Sequence, residues 1–302
     1  MKNTYLISIV VLLFAMFSTS FNVINAESAP GVSASNAVVL NMNTNEVIYE
    51  KEANESREIA SITKIMTAIV AIEQNDLDEK VLISSNAAKK EGSSIYTKAG
   101  DIYSLEDLVY GLMLRSGNDA ATAIAEHVAG SEKGFAFLMN EKASWIGMQN
   151  SSFQNPHGLD EEEHFSTAYD MALLTSYAMK NDEFKKIFGT KKYLSKNIDY
   201  YWFNKNKLLM SNDYCTGGKT GFTKSAGRTL VTTAEHEGKR IVVVTLNASN
   251  DWNDHRVLYD YAFKQIDEES EGFSEEMLNF PSFIESYFDV LNRMHGVKEW
   301  SI

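Results

Sequence analysis

Ser61-Ile62-Thr63-Lys64 sets a hydroxyl and an amine three residues apart, and on a helix that spacing puts both on one face. A neutral lysine can take the hydroxyl proton as Ser61 attacks a carbonyl, provided burial or a nearby cation lowers the amine pKa. The pattern occurs once in the chain, at the start of a strongly apolar helix whose positive end suits negative charge developing near Ser61. Lys219-Thr220-Gly221 follows Gly217-Gly218 and precedes Phe222. In a strand, the glycines would let a substrate backbone lie close while Lys219 and Thr220 offer charge and a hydroxyl to a carboxylate. Ser116-Gly117-Asn118 falls in a turn between two expected helices, where a loop can present a hydroxyl and an amide to a cleft. That last pattern is cheap, since Ser20-Phe21-Asn22, Ser84-Ser85-Asn86 and Ser195-Lys196-Asn197 match it as well.

Competing chemistries are weaker. A phosphate-binding loop needs glycine six residues before its lysine, and that position is Asp213. The six histidines form no His-Glu-x-x-His pattern, so no metal is expected, and His157 reads as a loop residue. The single cysteine, Cys215, has no adjacent His and Asn set and reads as structural; it also excludes a disulfide framework. Glu161-Glu162-Glu163 reads as a solvated loop that could border the cleft.

The elements that must carry these residues follow from periodicity. Ala37 to Tyr49 gives two β-rich runs around an Asn43-Thr44-Asn45 turn, a hairpin. From Ser61, Ile62, Ile65, Met66, Ile69 and Val70 recur at helical spacing. Ser104 and Asp107 form a capping pair for a helix through Leu114, and further helical runs span Ala120 to Val128, Phe135 to Trp145 and Thr167 to Met179. Short strands return at Gly217 to Thr223, Arg228 to Ala234 and Arg240 to Asn247, before a helix from Asp254 to Gln265. Strands at both ends with helices between them predict a mixed α/β (α+β) fold, one antiparallel sheet flanked by helices whose first and last segments meet.

The chain has 302 residues, 44% hydrophobic and 23% charged, which suits a large globular core. Acidic residues outnumber basic ones 41 to 28, giving a net charge of −13 and no overall field for nucleic acid. Residues 1–26 read as a secretory signal: Lys2, an apolar run from Tyr5 to Phe17, and Ile24-Asn25-Ala26 as a cleavage site, with an uncleaved membrane anchor as the alternative. Either places the domain outside the cytoplasm. Residues 27–36 are read as a linker and 37–266 as the catalytic domain.

Together, Ser-x-x-Lys, Ser-x-Asn and Lys-Thr-Gly in that order resemble the penicillin-recognising serine acyl-transferases. The match extends through Ala60 to Ala68, Leu112 to Ala121, Asn155-Pro156-His157-Gly158-Leu159 and Gly218 to Thr223, which look like the D-alanyl-D-alanine carboxypeptidase family of low-molecular-mass penicillin-binding proteins. The resemblance spans Ala37 to Gln265. It implies a β-lactamase/transpeptidase-like fold with a mostly helical subdomain and no cofactor, acting on peptidoglycan stem peptides that end in D-Ala-D-Ala and inhibited by β-lactams. It further implies Ser61 as nucleophile, Lys64 as its base, Ser116 and Asn118 as proton relay and amide holder, and Lys219 and Thr220, on a strand continuing through Gly221 and Phe222, as the carboxylate site. The backbone N–H groups of Ser61 and Phe222 map to an oxyanion hole.

A β-lactamase would need fast deacylation, and no Glu-x-x-Asn segment lies between Asn118 and Lys219. A non-enzymatic peptidoglycan-binding module would not need Ser61 and Lys64. Residues 267–302 depart from relatives that carry a β-rich second domain. Asp267 to Ser274 read as an acidic connector, and Phe280, Phe283, Ile284, Tyr287, Phe288, Leu291 and Met294 form one apolar helical stripe. Glu285 and Asp289 on its polar side favour docking onto the catalytic domain or a protein partner, whereas family resemblance favours peripheral membrane contact.

Overall fold

The computed structural model describes residues 29–268. The secretory segment and the apolar stripe from Phe280 to Met294 lie outside the described residues.

The expected hairpin comprises β1 (Asn36–Asn41) and β2 (Val47–Lys51). It joins an antiparallel sheet of five strands in the order β2-β1-β9-β8-β7, where β7 is Cys215–Thr223, β8 is Gly227–His236 and β9 is Lys239–Ala248. The first and last strands meet as predicted, with Val39 opposite Val243 and Asn36 opposite Leu246. Because side chains alternate along a strand, β9 feeds two cores. Val242 and Val244 join the helical layer, and Ile241 and Val243 pack with Leu258, Tyr259 and Phe263 of a helix over residues 251–268. Burial on both faces explains the unbroken Ile241 to Val244 run. The helix expected to end at Gln265 runs to the last described residue, and the rest of the expected connector, 269–274, lies outside the described residues. Asp267 and Glu268 are still helical, and Asp267 pairs with Lys239 of β9.

The helical layer starts with α1 (Lys64–Gln74), whose Ile65, Met66, Ile69 and Val70 are buried, each contributing about 1.5–3 kcal/mol by leaving water. The Ser-x-x-Lys segment is not α-helical throughout. A 3₁₀ turn, Ala60–Thr63, leads into α1, with Ala60 at φ +49°. A short hairpin, β3 (Lys80–Leu82) and β4 (Ile102–Ser104), precedes α2 (Leu105–Tyr110), which Ser104 caps by accepting from the Asp107 N–H at 3.1 Å. The helix expected through Leu114 instead widens into a π turn at Gly111–Arg115 and stops at Ser116. Helices α3 (Asn118–Ala129), α4 (Glu132–Ile146) and α5 (Ala168–Ala178) agree with the periodicity within a few residues. Unforeseen are α6 (Asp182–Phe188), the hairpin β5 (Lys192–Ser195) and β6 (Tyr200–Phe203), and the single turn α7 (Leu208–Ser211).

Candidate active site

The start of α1, the end of the π turn and β7 converge on a cleft of about 470 Å³. Ser61, Ser116, Thr220, Gly221 and Phe222 line it; Lys64 and Lys219 are buried behind them. Strand β7 presses on the 3₁₀ turn: a Cβ built on Gly221 would lie 2.9 Å from the Ser61 nitrogen and 3.1 Å from that of Ile62. Thr229 of β8 adds a hydrogen bond from its hydroxyl to the Ile59 carbonyl, 3.0 Å. The other two glycines differ from expectation. Gly217 faces the Phe188 ring and Gly218 the Asn206 amide, so their missing side chains make room for the protein's own packing rather than for a substrate backbone.

The Lys64 Nζ has three neighbours: Ser61 Oγ at 2.9 Å, Asn118 Oδ1 at 2.8 Å and the His157 carbonyl at 2.5 Å. Asn118 Nδ2 donates to the Glu91 carbonyl at 2.7 Å, which settles the amide orientation and turns Oδ1 toward Lys64. Both that oxygen and the His157 carbonyl can only accept. A neutral amine therefore spends its two protons on them and points its lone pair at Ser61 Oγ. Burial, reinforced by the charges of Lys219 and Lys205, pushes the Lys64 pKa well below the ordinary lysine range, with Asp119 opposing.

Lys219 Nζ donates to Ser116 Oγ at 3.0 Å and to the Thr220 carbonyl at 2.7 Å. Burial, aided by Lys205, lowers it to about 7. Ser116 is held at φ +64°, a left-handed conformation costing about 1–3 kcal/mol. The π turn before it and Asn118 after it fix both ends of that residue.

Further residues support this geometry without touching the cleft. Gln154 N–H donates to His164 Nδ1 at 3.0 Å, so the ring proton sits on Nε2 and donates to Thr63 Oγ1 at 2.9 Å. Thr63 in turn donates to the Ala60 carbonyl, 2.8 Å. Burial, with the charges of His157 and Lys64, lowers His164 to about 4, which keeps that tautomer neutral. Gly158, at φ +80°, lies where a Cβ would come within 2.0 Å of the same carbonyl, so a side chain there would displace Ser61. Asp119 organises the facing loop, accepting from the Ile95 and Thr97 N–H groups and the Ser94 hydroxyl at 2.6–3.1 Å.

Sequence reasoning missed Ser93, Lys205, Arg228, Asp251 and Trp252, which complete the cleft wall. His157 is a loop residue as read, but it acts through its main chain. Glu161 to Glu163 line a separate cavity of about 390 Å³ with Arg57 and Glu58, and are not among the residues of the cleft. Among the described residues no cluster of three or more His, Cys, Asp or Glu side chains could hold a metal, and none forms a helix long and apolar enough to cross a membrane.

A cleft-lining serine on a buried lysine, beside a Lys-Thr-Gly strand on a helix-flanked antiparallel sheet, defines a serine acyl-transferase. The D-alanyl-D-alanine carboxypeptidase family model matches residues 23–250, and the chain belongs to that family. It is 35% identical to D-alanyl-D-alanine carboxypeptidase DacF of Bacillus subtilis over 276 residues, 88% of this chain and 71% of that protein. With DacC of Escherichia coli it shares 35% over 269 residues, covering 83% of this chain and 66% of the relative. The fold superposes on a D-alanyl-D-alanine carboxypeptidase from Mycobacterium tuberculosis with a TM-score of 0.76 at 28% identity, covering 80% of this chain and 95% of that one. For the Streptomyces K15 DD-transpeptidase the values are 0.75 and 31%, over 79% of this chain and all of the other. The antiparallel sheet with helices on both sides is thus the penicillin-binding-protein fold, and the chain is a hydrolase of the D-Ala-D-Ala carboxypeptidase class.

Proposed function

We propose that this chain removes the terminal D-alanine from peptidoglycan stem peptides through an acyl-enzyme on Ser61. The observation that carries the residue assignment is the pair of carbonyl acceptors on Lys64, which leaves its lone pair for Ser61 Oγ at 2.9 Å. The Ser61 proton passes to Lys64 as Oγ bonds to the penultimate D-Ala carbonyl carbon; the amide C–N bond then breaks, and the leaving amine takes a proton by way of Ser116 or Lys64. Water releases the acyl group in the second half. Lys219 and Thr220 hold the terminal carboxylate, with Asn118 beside the substrate amide. The N–H groups of Ser61 and Phe222 face the carbonyl oxygen where negative charge develops. β-Lactams, whose ring amide presents the same carbonyl, acylate Ser61 and stall.

The substrate lies in the cell wall, so we read residues 1–26 as the export signal and the mature enzyme as extracytoplasmic. The tail stripe from Phe280 to Met294 is assigned to docking on protein, with peripheral membrane contact as the competing role. The net charge of −13 disfavours a nucleic-acid partner. The deciding experiment treats wild type and Ser61→Ala with a β-lactam and weighs the intact proteins. An adduct is expected on wild type alone, with cleavage of a D-Ala-D-Ala pentapeptide lost by three or more orders of magnitude in the variant. An adduct persisting on Ser61→Ala removes Ser61 from this role.

A further inference from the structure

Glu132, the first residue of α4, carries a carboxylate that the chemistry above does not use. It faces inward. Its Oε1 lies 2.7 Å from Lys90 Nζ and accepts from Thr122 Oγ1 at 2.5 Å, while Oε2 accepts from Lys90 at 3.0 Å. The buried His157 ring faces the same oxygen, with Nε2 at 3.6 Å from Oε1, an electrostatic contact beyond hydrogen-bond reach that leaves Nε2 without a hydrogen-bond partner among the described residues. His157 Nδ1 accepts from the Leu159 N–H at 3.2 Å, so the ring proton is on Nε2, aimed at Glu132. Burial alone would raise this carboxyl, but His157, Lys90 and Thr122 outweigh it and hold it at about 2.

Each of those three partners sits next to something that orients the catalytic amine. Lys90 precedes Glu91, whose carbonyl binds Asn118 Nδ2 and so turns Oδ1 toward Lys64. His157 supplies, from its own main chain, the second carbonyl acceptor of Lys64. Thr122 lies one turn along α3 from Asn118. The two acceptors that turn the lone pair toward Ser61, Asn118 Oδ1 on α3 and the His157 carbonyl, are therefore set by different segments, and one carboxylate faces Thr122 of α3, Lys90 beside Glu91, and the His157 ring.

We propose that Glu132 is a positioning residue for acylation, acting through Lys90 and His157 to hold the Glu91 and His157 carbonyls in register with Lys64. It makes no contact with substrate. The carboxylate end of the cleft, Lys219 and Thr220, is built on β7, and among the described residues none of Glu132's partners lies there, so the effect falls mainly on the chemical step and leaves carboxylate recognition alone. This inference rests on the assignment of Lys64 as base.

The test separates non-covalent binding from acylation by stopped-flow with a fluorescent penicillin, after active-site titration, in wild type, Glu132→Ala, Glu132→Gln, Lys90→Met and Lys64→Ala. Glu132→Ala is expected to lower the acylation rate constant about tenfold to a hundredfold, leave the non-covalent dissociation constant within about twofold, and move the ascending pH limb upward as water reaches Lys64. Glu132→Gln, which keeps an acceptor for Lys90 and Thr122, should fall between. Lys90→Met and Glu132→Ala should combine less than additively in the rate constant. A titratable fraction of Glu132→Ala that acylates at the wild-type rate, a loss confined to binding, or full additivity with Lys90→Met overturns the proposal. A Lys64→Ala protein that still acylates at the wild-type rate overturns the base assignment itself. Wild-type acylation by Glu132→Ala beside a dead Lys64→Ala sinks only the role of Glu132.

Discussion

Lys64 and Lys219 are the same residue type, both buried in one cleft, yet their surroundings assign them opposite tasks. Lys64, on α1, has every hydrogen-bonding direction used: two backbone-quality acceptors and the Ser61 hydroxyl. Lys219, on β7, has two hydrogen-bond partners among the described residues, Ser116 Oγ and its neighbour's carbonyl, which leaves one donor of a protonated amine for a ligand. The first arrangement suits a neutral base, the second a cation awaiting a carboxylate. Burial lowers both pKa values, and what separates the two roles is which directions the neighbours leave open.

The largest blow to this contrast is Lys64→Arg. Arginine stays charged and cannot take a proton, so acylation should fall by three or more orders of magnitude, read as the rate of β-lactam adduct formation. If Lys64→Arg acylates normally, the lysines do not differ as argued. Lys219→Ala should cost about 1.5–3 kcal/mol of charge-assisted carboxylate binding, roughly ten- to a hundredfold in kcat/KM. Substrates with an amidated C-terminus should lose the same amount on wild type and nothing further on the variant. Equal discrimination between acid and amide by both proteins places the carboxylate elsewhere.

The pH dependence should split along the same line. Acylation rises with pH as Lys64 loses its proton, with an ascending limb well below the ordinary lysine range, while initial binding of an anionic substrate weakens as pH climbs through about 7 and Lys219 loses its charge. Single-turnover kinetics resolves the two; both limbs falling on one constant would merge the roles.

The smallest effect concerns stability. Lys219 titrates at about 7 folded and near 10.5 unfolded, so between those values the unfolded chain binds more protons and stability rises with pH. Below about 7 the full cost of burying the amine is present. Lys219→Met should therefore melt a few degrees above wild type at pH 6, with the gap closing toward pH 10. A pH-independent gap would mean the burial cost is not electrostatic.

Motif order in the sequence picked out both lysines, Ser61, Ser116 and Asn118, which the fold brings together, because the nucleophile, base and carboxylate anchor proposed for them each require a particular side chain. The sheet was legible for a similar reason, since Ile241 to Val244 can be buried on both faces only in a covered strand. What the side chains could not reveal was the work done by backbone. His157 and Glu91 act through carbonyls that every residue possesses, and the left-handed turns at Ala60 and Ser116 belong to residue types with no preference for them. Gly217 and Gly218 misled because a missing side chain says that something comes close without saying what. The β5–β6 hairpin was overlooked because its lysines and asparagines hide the alternation that turns Tyr193, Ser195 and Trp202 toward α2 and the π turn. Asp107 holds it there, accepting from Tyr193 Oη at 2.6 Å and Ser195 Oγ at 2.8 Å.

The pairing of β1 with β9 has a consequence for how the molecule comes to exist. The strand made first can be enclosed only when the strand made last arrives, some two hundred residues later. Ser61 and Lys64 emerge early, but the backbone that packs on Ser61 and the amine that faces Ser116 belong to β7, near the end. A chain made amino-end first therefore lacks part of the cleft until β7 exists. Closing that sheet needs contacts far apart in sequence, and contacts of that kind form slowly.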